Sequence, residues 1–140
     1  MPGLLKISEA ASLGLHAMMV MAQDARTMHS AARLSKRLQS SENHLAKVLQ
    51  RLAKVGLVRS TRGPKGGFVL GRSPDQISLL EIYEALDGPL ELAQCLLHAP
   101  VCRGKKCVFG NLVKNLNRQV GRHLRQTKLS TQVGKETSHE

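Results

Sequence analysis

Apolar residues recur at helical spacing along most of this chain, and each change of phase marks a separate element. From Ser8 to about Ala25, Leu13, Ala17, Val20 and Met21 share one face, which Met18, Met19 and Ala22 widen, so a mostly buried first helix is predicted. Ser30 can cap a short second helix to Leu38, with Ala31, Leu34 and Leu38 on one side. Ser40 and Ser41 are candidate caps for a third, in which Leu45, Val48, Leu49 and Leu52 fall at i, i+3, i+4 and i+7. Asn43, His44, Lys47, Gln50, Arg51 and Lys54 are left on its outer side, and Gly56 stands where a helix closing in the left-handed conformation favours glycine.

The period then changes. Leu57 to Leu70 reads as a hairpin: a short apolar strand, the turn-rich run Arg62-Gly63-Pro64-Lys65-Gly66-Gly67, and Phe68-Val69-Leu70. Ser78 opens a further helix to about Leu86 with Glu81 in capping-box position, and Asp87-Gly88-Pro89 ends it. An irregular stretch, Leu90 to Lys106, follows. From about Val108 the positions Phe109, Leu112, Val113, Leu116, Val120 and Leu124 trace one apolar face, and such a terminal helix needs a partner surface. Beyond Thr127 the chain is polar and without pattern, which predicts a disordered tail. The expected fold is therefore mainly α with a small β-hairpin wing. It divides into a winged helix-turn-helix domain over 1–88, a cysteine loop over 89–107, a long C-terminal dimerisation helix over 108–127 and a disordered tail over 128–140.

Charge sharpens this picture. The 140 residues hold 21 Lys and Arg against 10 Asp and Glu, a formal charge of +11 that favours a polyanionic partner. Between Asn43 and Arg72 stand Lys47, Arg51, Lys54, Arg59, Arg62, Lys65 and Arg72 with no acidic residue among them. With no Trp, one Tyr and two Phe, the composition disfavours a base-stacking platform for single strands, and duplex DNA fits better. The start lacks a secretory signal pattern and no apolar run approaches the roughly 20 residues of a membrane span, so a cytoplasmic protein is expected. No paired carboxylates, no nucleophile with a base and no phosphate loop point to an enzyme; Gly63 to Gly67 lacks the Lys-Ser/Thr a P-loop needs.

In a helix-turn-helix the N-terminal residues of the recognition helix reach base edges, while hydroxyls and cations around them hold phosphates. That assigns Asn43, His44 and Lys47 to base or near-base contact, and Ser41, Arg51 and Lys54 to the backbone. Asparagine can pair with adenine and lysine with guanine acceptors, each good pair discriminating by roughly 1 to 3 kcal/mol. Arg62 and Lys65, between glycines, suit a narrow minor groove, with Arg59 on the strand leading to them. Read singly, each of these charges is equally a solvated surface group.

The run LAKVLQRLAKVGL from Leu45, followed by VRSTRGPKGGFVLGR and a helix ending Asp-Gly-Pro, closely resembles the bacterial Rrf-type transcriptional regulators, and the resemblance covers roughly Leu4 to Leu124. It implies a homodimer, in which the C-terminal helix crosses the partner's first helix, acting on a palindromic operator with Arg62 in the minor groove. Iron-sulfur members carry three cysteines before the dimer helix. Cys95, Cys102 and Cys107, spaced C-x6-C-x4-C, match them, and thiolates are the natural cluster ligands. Cys95, beside Leu96 and Leu97, reads equally as a small buried hydrophobe, and a thiol redox or zinc site is the other use of the set. The resemblance leaves the fourth ligand open. Nitric-oxide-sensing relatives use an acidic residue of the first helix where this chain has Ser12, with Glu9 and His16 a turn to either side, and His98 is the one histidine near the cysteines. The expected function is a repressor whose operator affinity depends on a cluster, 4Fe-4S favoured over 2Fe-2S, that senses nitric oxide, iron or redox state. The alternative is a cluster-free regulator controlled by a thiol or a partner protein.

Overall fold

A computed structural model describes residues 6–91, 95 and 107–133. Helix α1 (Glu9–Gln23) starts where the Ser8 hydroxyl accepts the Ala11 N–H, and it buries Ala11, Gly14, Ala17, Met18, Val20, Met21 and Ala22. The small residues on this face let neighbouring helices approach closely. Helix α2 (Ala31–Leu38), capped by Ser30, and helix α3 (Glu42–Lys54), capped by Ser41, are joined by a turn in which Gln39 takes a left-handed φ of 54°. The apolar stripe of α3 is buried as the spacing predicts: Leu45, Val48, Leu49 and Leu52 line the core.

Strands β1 (Val58–Thr61) and β2 (Gly67–Leu70) pair antiparallel, with Val58 opposite Leu70 and Thr61 opposite Gly67. The outer edge of β2 gains an extra rung, because His29 and Phe68 exchange main-chain hydrogen bonds of 2.8 and 2.7 Å. Only glycine fits at 67, where φ is 155° and a Cβ would stand 2.5 Å from the His29 oxygen.

Helix α4 (Leu79–Asp87) begins with the full capping box: Ser78 Oγ accepts the Glu81 N–H, and the Glu81 carboxylate accepts the Ser78 N–H at 2.9 Å. Arg72 adds an ion pair to Glu81 at 2.8 Å. Burial pushes the Glu81 carboxyl up, but the Ser78 N–H and then Arg72 outweigh it and leave the pKa lowered. Its stabilising contribution is therefore complete above the ordinary glutamate range and is lost as pH falls through the depressed value. Ser78→Ala is expected to lower stability by about 0.5–2 kcal/mol, read as a shift of the urea midpoint at pH 7.

Helix α5 (Leu112–Gln126) packs on α4 through Val113, Asn117, Gly121 and Leu124. The structure corrects two expectations here. The C-terminal helix starts at Leu112 and not at Val108, because Gly110 at φ 57° places a turn over 108–110. And the segment Lys128–Val133 is not a disordered tail. The Leu79 N–H binds the Thr127 oxygen at 3.0 Å and the Leu129 N–H binds the Ile77 oxygen at 2.8 Å, which returns the chain to the core with Leu129 fully buried. The remainder of the expected tail, 134–140, lies outside the described residues. One apolar core unites α1, α3, α4, the wing and this return. Among the described residues no helix is long and apolar enough to cross a membrane.

Candidate nucleic-acid interface

The first turn of α3 is presented to solvent by the way the helix is held. Ser41 spends its hydroxyl on the His44 N–H at 3.0 Å, and the four buried leucine and valine positions fix which side of the helix faces out. Ser41, Asn43, Lys47 and Arg51 are exposed and His44 is half-buried. Glu42, also exposed in this turn, is a potential acceptor for a cytosine amine that the run of cations drew attention away from. Arg33 and Lys36 on α2 are exposed as well, where the first helix of such a pair crosses the phosphate backbone.

Arg59 is exposed on β1, and Arg62 and Lys65 are exposed at the wing tip. The tip is closed by the Gly66 N–H binding the Gly63 oxygen at 2.9 Å, and a Cβ on Gly66 would fall 2.1 Å from the Thr61 oxygen. Among the described residues none of Lys47, Arg59, Arg62 and Lys65 is held in an ion pair, so these cations stay available to an anionic partner. Two other basic residues of the same stretch are engaged. Arg72 is paired with Glu81, and the Arg51 guanidinium donates to the main-chain oxygen of Leu86.

Two of the candidate fourth ligands, Glu9 and His16, share one place. Glu9, Ser12 and His16 of α1 line an open cleft of about 690 Å³ with Ser41 and His44, so they lie beside the first turn of α3. His16 Nδ1 is 2.6 Å from the Ser12 carbonyl, which leaves Nε2 for another partner. Cys95 is half-buried and Cys107 is exposed just ahead of α5, whereas Cys102 and His98 lie outside the described residues. Among the described residues no three His, Cys, Asp or Glu side chains are arranged around a metal ion.

The apolar stripe of α5 is only partly covered. Val113 and Leu124 are buried against the core, while Leu116 and Val120 are half-buried, and Phe109 and Leu112 are 44% and 50% exposed.

Comparison with known proteins agrees with this geometry. Residues 7–134 match the sequence pattern of the Rrf2 family, described as iron-dependent transcriptional regulator. The chain is 31% identical to the HTH-type transcriptional regulator IscR of Sodalis glossinidius over 75% of this chain and 64% of that protein. Its fold is similar to that of CymR, the global cysteine regulator of B. subtilis, with a TM-score of 0.75 and 29% identity over 90% of this chain and 94% of the other. It is also similar to T. potens IscR, with a TM-score of 0.68 and 27% identity over 90% and 84% of the two chains.

Proposed function

This chain belongs to the Rrf2 family of DNA-binding transcriptional regulators, which are not enzymes, and we propose that it works as a homodimeric repressor on palindromic operator DNA under control of an iron-sulfur cluster. The observation that carries the reading is the shared exposure of the α3 first turn and the cationic wing tip, the first matched to a major groove and the second to the minor groove beside it. In this reading Asn43, His44 and Lys47 meet bases, Ser41 meets phosphate, and Arg59, Arg62 and Lys65 serve the wing. The second copy covers the edge of α5 marked by Phe109, Leu112, Leu116 and Val120, which sets two recognition helices at a fixed separation.

Cys95, Cys102 and Cys107 would hold the cluster. The donor set fits it: an exposed Cys107 thiol and a half-buried Cys95 bound the segment, and soft thiolates are what such clusters take. These thiolates would hold a 4Fe-4S group on the segment leading into α5, where it would supply chemistry sensitive to redox state, iron supply and nitric oxide. His16 or Glu9 of the partner subunit would complete it, because the resemblance puts a further ligand on the first helix; His98 is the remaining choice.

The test is the visible spectrum, with iron and sulfide content, of protein purified without oxygen, together with operator footprints before and after cluster removal. The expected result is a charge-transfer band that Cys102→Ala abolishes and an operator affinity that differs between the two forms. Equal affinities would sink cluster control. A colourless protein that still footprints a palindrome supports the second reading, a thiol- or partner-controlled regulator, which the similarity in fold to the cysteine regulator CymR favours.

A further inference from the structure

One exposed cation of α3 already has a hydrogen-bond partner within the protein. Arg51 sits in the last turn of α3, where an exposed basic residue predicts a phosphate contact, yet its Nη2 donates to the Leu86 oxygen. That carbonyl is one of the orphan acceptors at the C-terminal end of α4, where the helix dipole also favours a cation. Arg51 thus closes α4 from outside, through a residue of the DNA-reading helix.

Other ties converge on Leu86 and the residue after it. The Leu86 side chain fills the notch at Gly14 of α1, where a Cβ would stand 2.2 Å from Leu86 Cδ1 and 3.4 Å from Val48 Cγ1 of α3. The Asp87 carboxylate accepts the Ser8 N–H at 3.0 Å and the Ser8 hydroxyl, and Ser8 is the cap of α1. Gly88, at φ 80°, then turns the chain out of α4 toward the cysteines. Leu86 and Asp87 are where α1 and α3 are both fastened to the end of α4.

We propose that Arg51 is a positioning residue that fastens the recognition helix to the C-terminal end of α4 and so sets the pitch at which α3 is presented. The inference rests on the proposed operator-binding function for its consequence, though the link itself is a property of the protein alone. A hydrogen bond carries directional constraint that packing between two smooth helices lacks, which is why this contact can set a pitch. It also separates Arg51 from Lys47, Arg62 and Lys65, whose side chains have no such anchor among the described residues.

Three readings on Arg51→Ala and the wild-type protein test it. The first needs no DNA: amide exchange at Asp87 and Gly88, whose N–H binds the Glu84 oxygen, is expected to accelerate in the variant, and unchanged exchange overturns the link. The second uses the palindromic duplex that the wild-type protein selects from a random pool. Affinity is expected to fall roughly tenfold, the scale of one hydrogen bond from a charged donor, with the salt slope unchanged. A slope reduced by about one per protomer marks a lost phosphate contact and overturns the proposal whatever the exchange shows. The third is half-site spacing, which a purely stabilising role would leave alone: the variant is expected to accept spacings that the wild type rejects, and unaltered discrimination overturns the positioning role. A wild-type protein that selects no duplex refutes the proposed function, and the exchange reading still decides the link.

Discussion

Leu129→Ala is expected to lower stability by about 2–5 kcal/mol, the range for truncating a fully buried leucine in a close-packed core. Leu129 has no exposed surface and packs in the same cluster as Ile77, Ile82 and Met18. Its main chain is pinned as well, through the Leu129 N–H to the Ile77 oxygen, the Thr127 oxygen to the Leu79 N–H and the bridge between Ser78 and Lys128. The effect therefore extends beyond a cavity, because this return ties the end of α5 to the start of α4 and to α1. The measurement is a urea transition at fixed protein concentration, since the proposed dimerisation would make apparent stability depend on concentration. The midpoint should fall with the slope retained, while Thr131→Ala, on an exposed residue, should leave it within about 0.5 kcal/mol. A Leu129→Ala midpoint as small in its shift as the control would return this segment to the disordered tail that its composition suggests.

That contrast shows what was legible in the sequence. Helix α3 could be read because four apolar residues repeat at one phase behind a serine cap, and α4 because Ser78 and Glu81 form a box within a single turn. Each signal is local. Leu129 stands as one leucine among Lys128, Ser130 and Thr131, with no period to amplify it, and the partner that buries it is Ile77, far back in the chain. The rung between His29 and Phe68 is hidden for the same reason: one residue pairing across a long separation leaves no repeat. At the candidate site, exposure of Asn43, Lys47, Arg62 and Lys65 followed from which face is apolar. The engagement of Arg51 and Arg72 did not, since composition counts charges and cannot say which of them a neighbouring carbonyl or carboxylate already holds. The early start given to α5 came from following Phe109 as part of the stripe and overlooking that Gly110 interrupts it.

The wing supplies the second large effect. Arg62→Ala is expected to weaken operator binding by about 1 to 3 kcal/mol per wing, roughly 5- to 150-fold, and by the square of that in a dimer that seats both wings. The physical ground is the way the tip is built. Arg62 opens a turn in which Gly63 adopts φ 109° and Gly66 approaches the Thr61 oxygen too closely for any side chain, so the backbone is fixed while the arginine remains exposed and, among the described residues, outside any ion pair. A cation held this way loses little conformational freedom of its scaffold on binding, and a narrow minor groove offers it the most negative potential on the duplex. Because Arg62 packs against nothing in the core, the melting temperature of the variant should match that of the wild type, which separates lost recognition from lost fold. The salt slope should fall by about one for each wing, and preference for A·T pairs beneath the wing should relax with it. Lys65→Ala should reduce the slope without altering that base preference, since a flexible ammonium reads charge and not groove shape. An Arg62→Ala protein that binds the selected palindrome as tightly as the wild type would place the wing outside the DNA and confine recognition to α3.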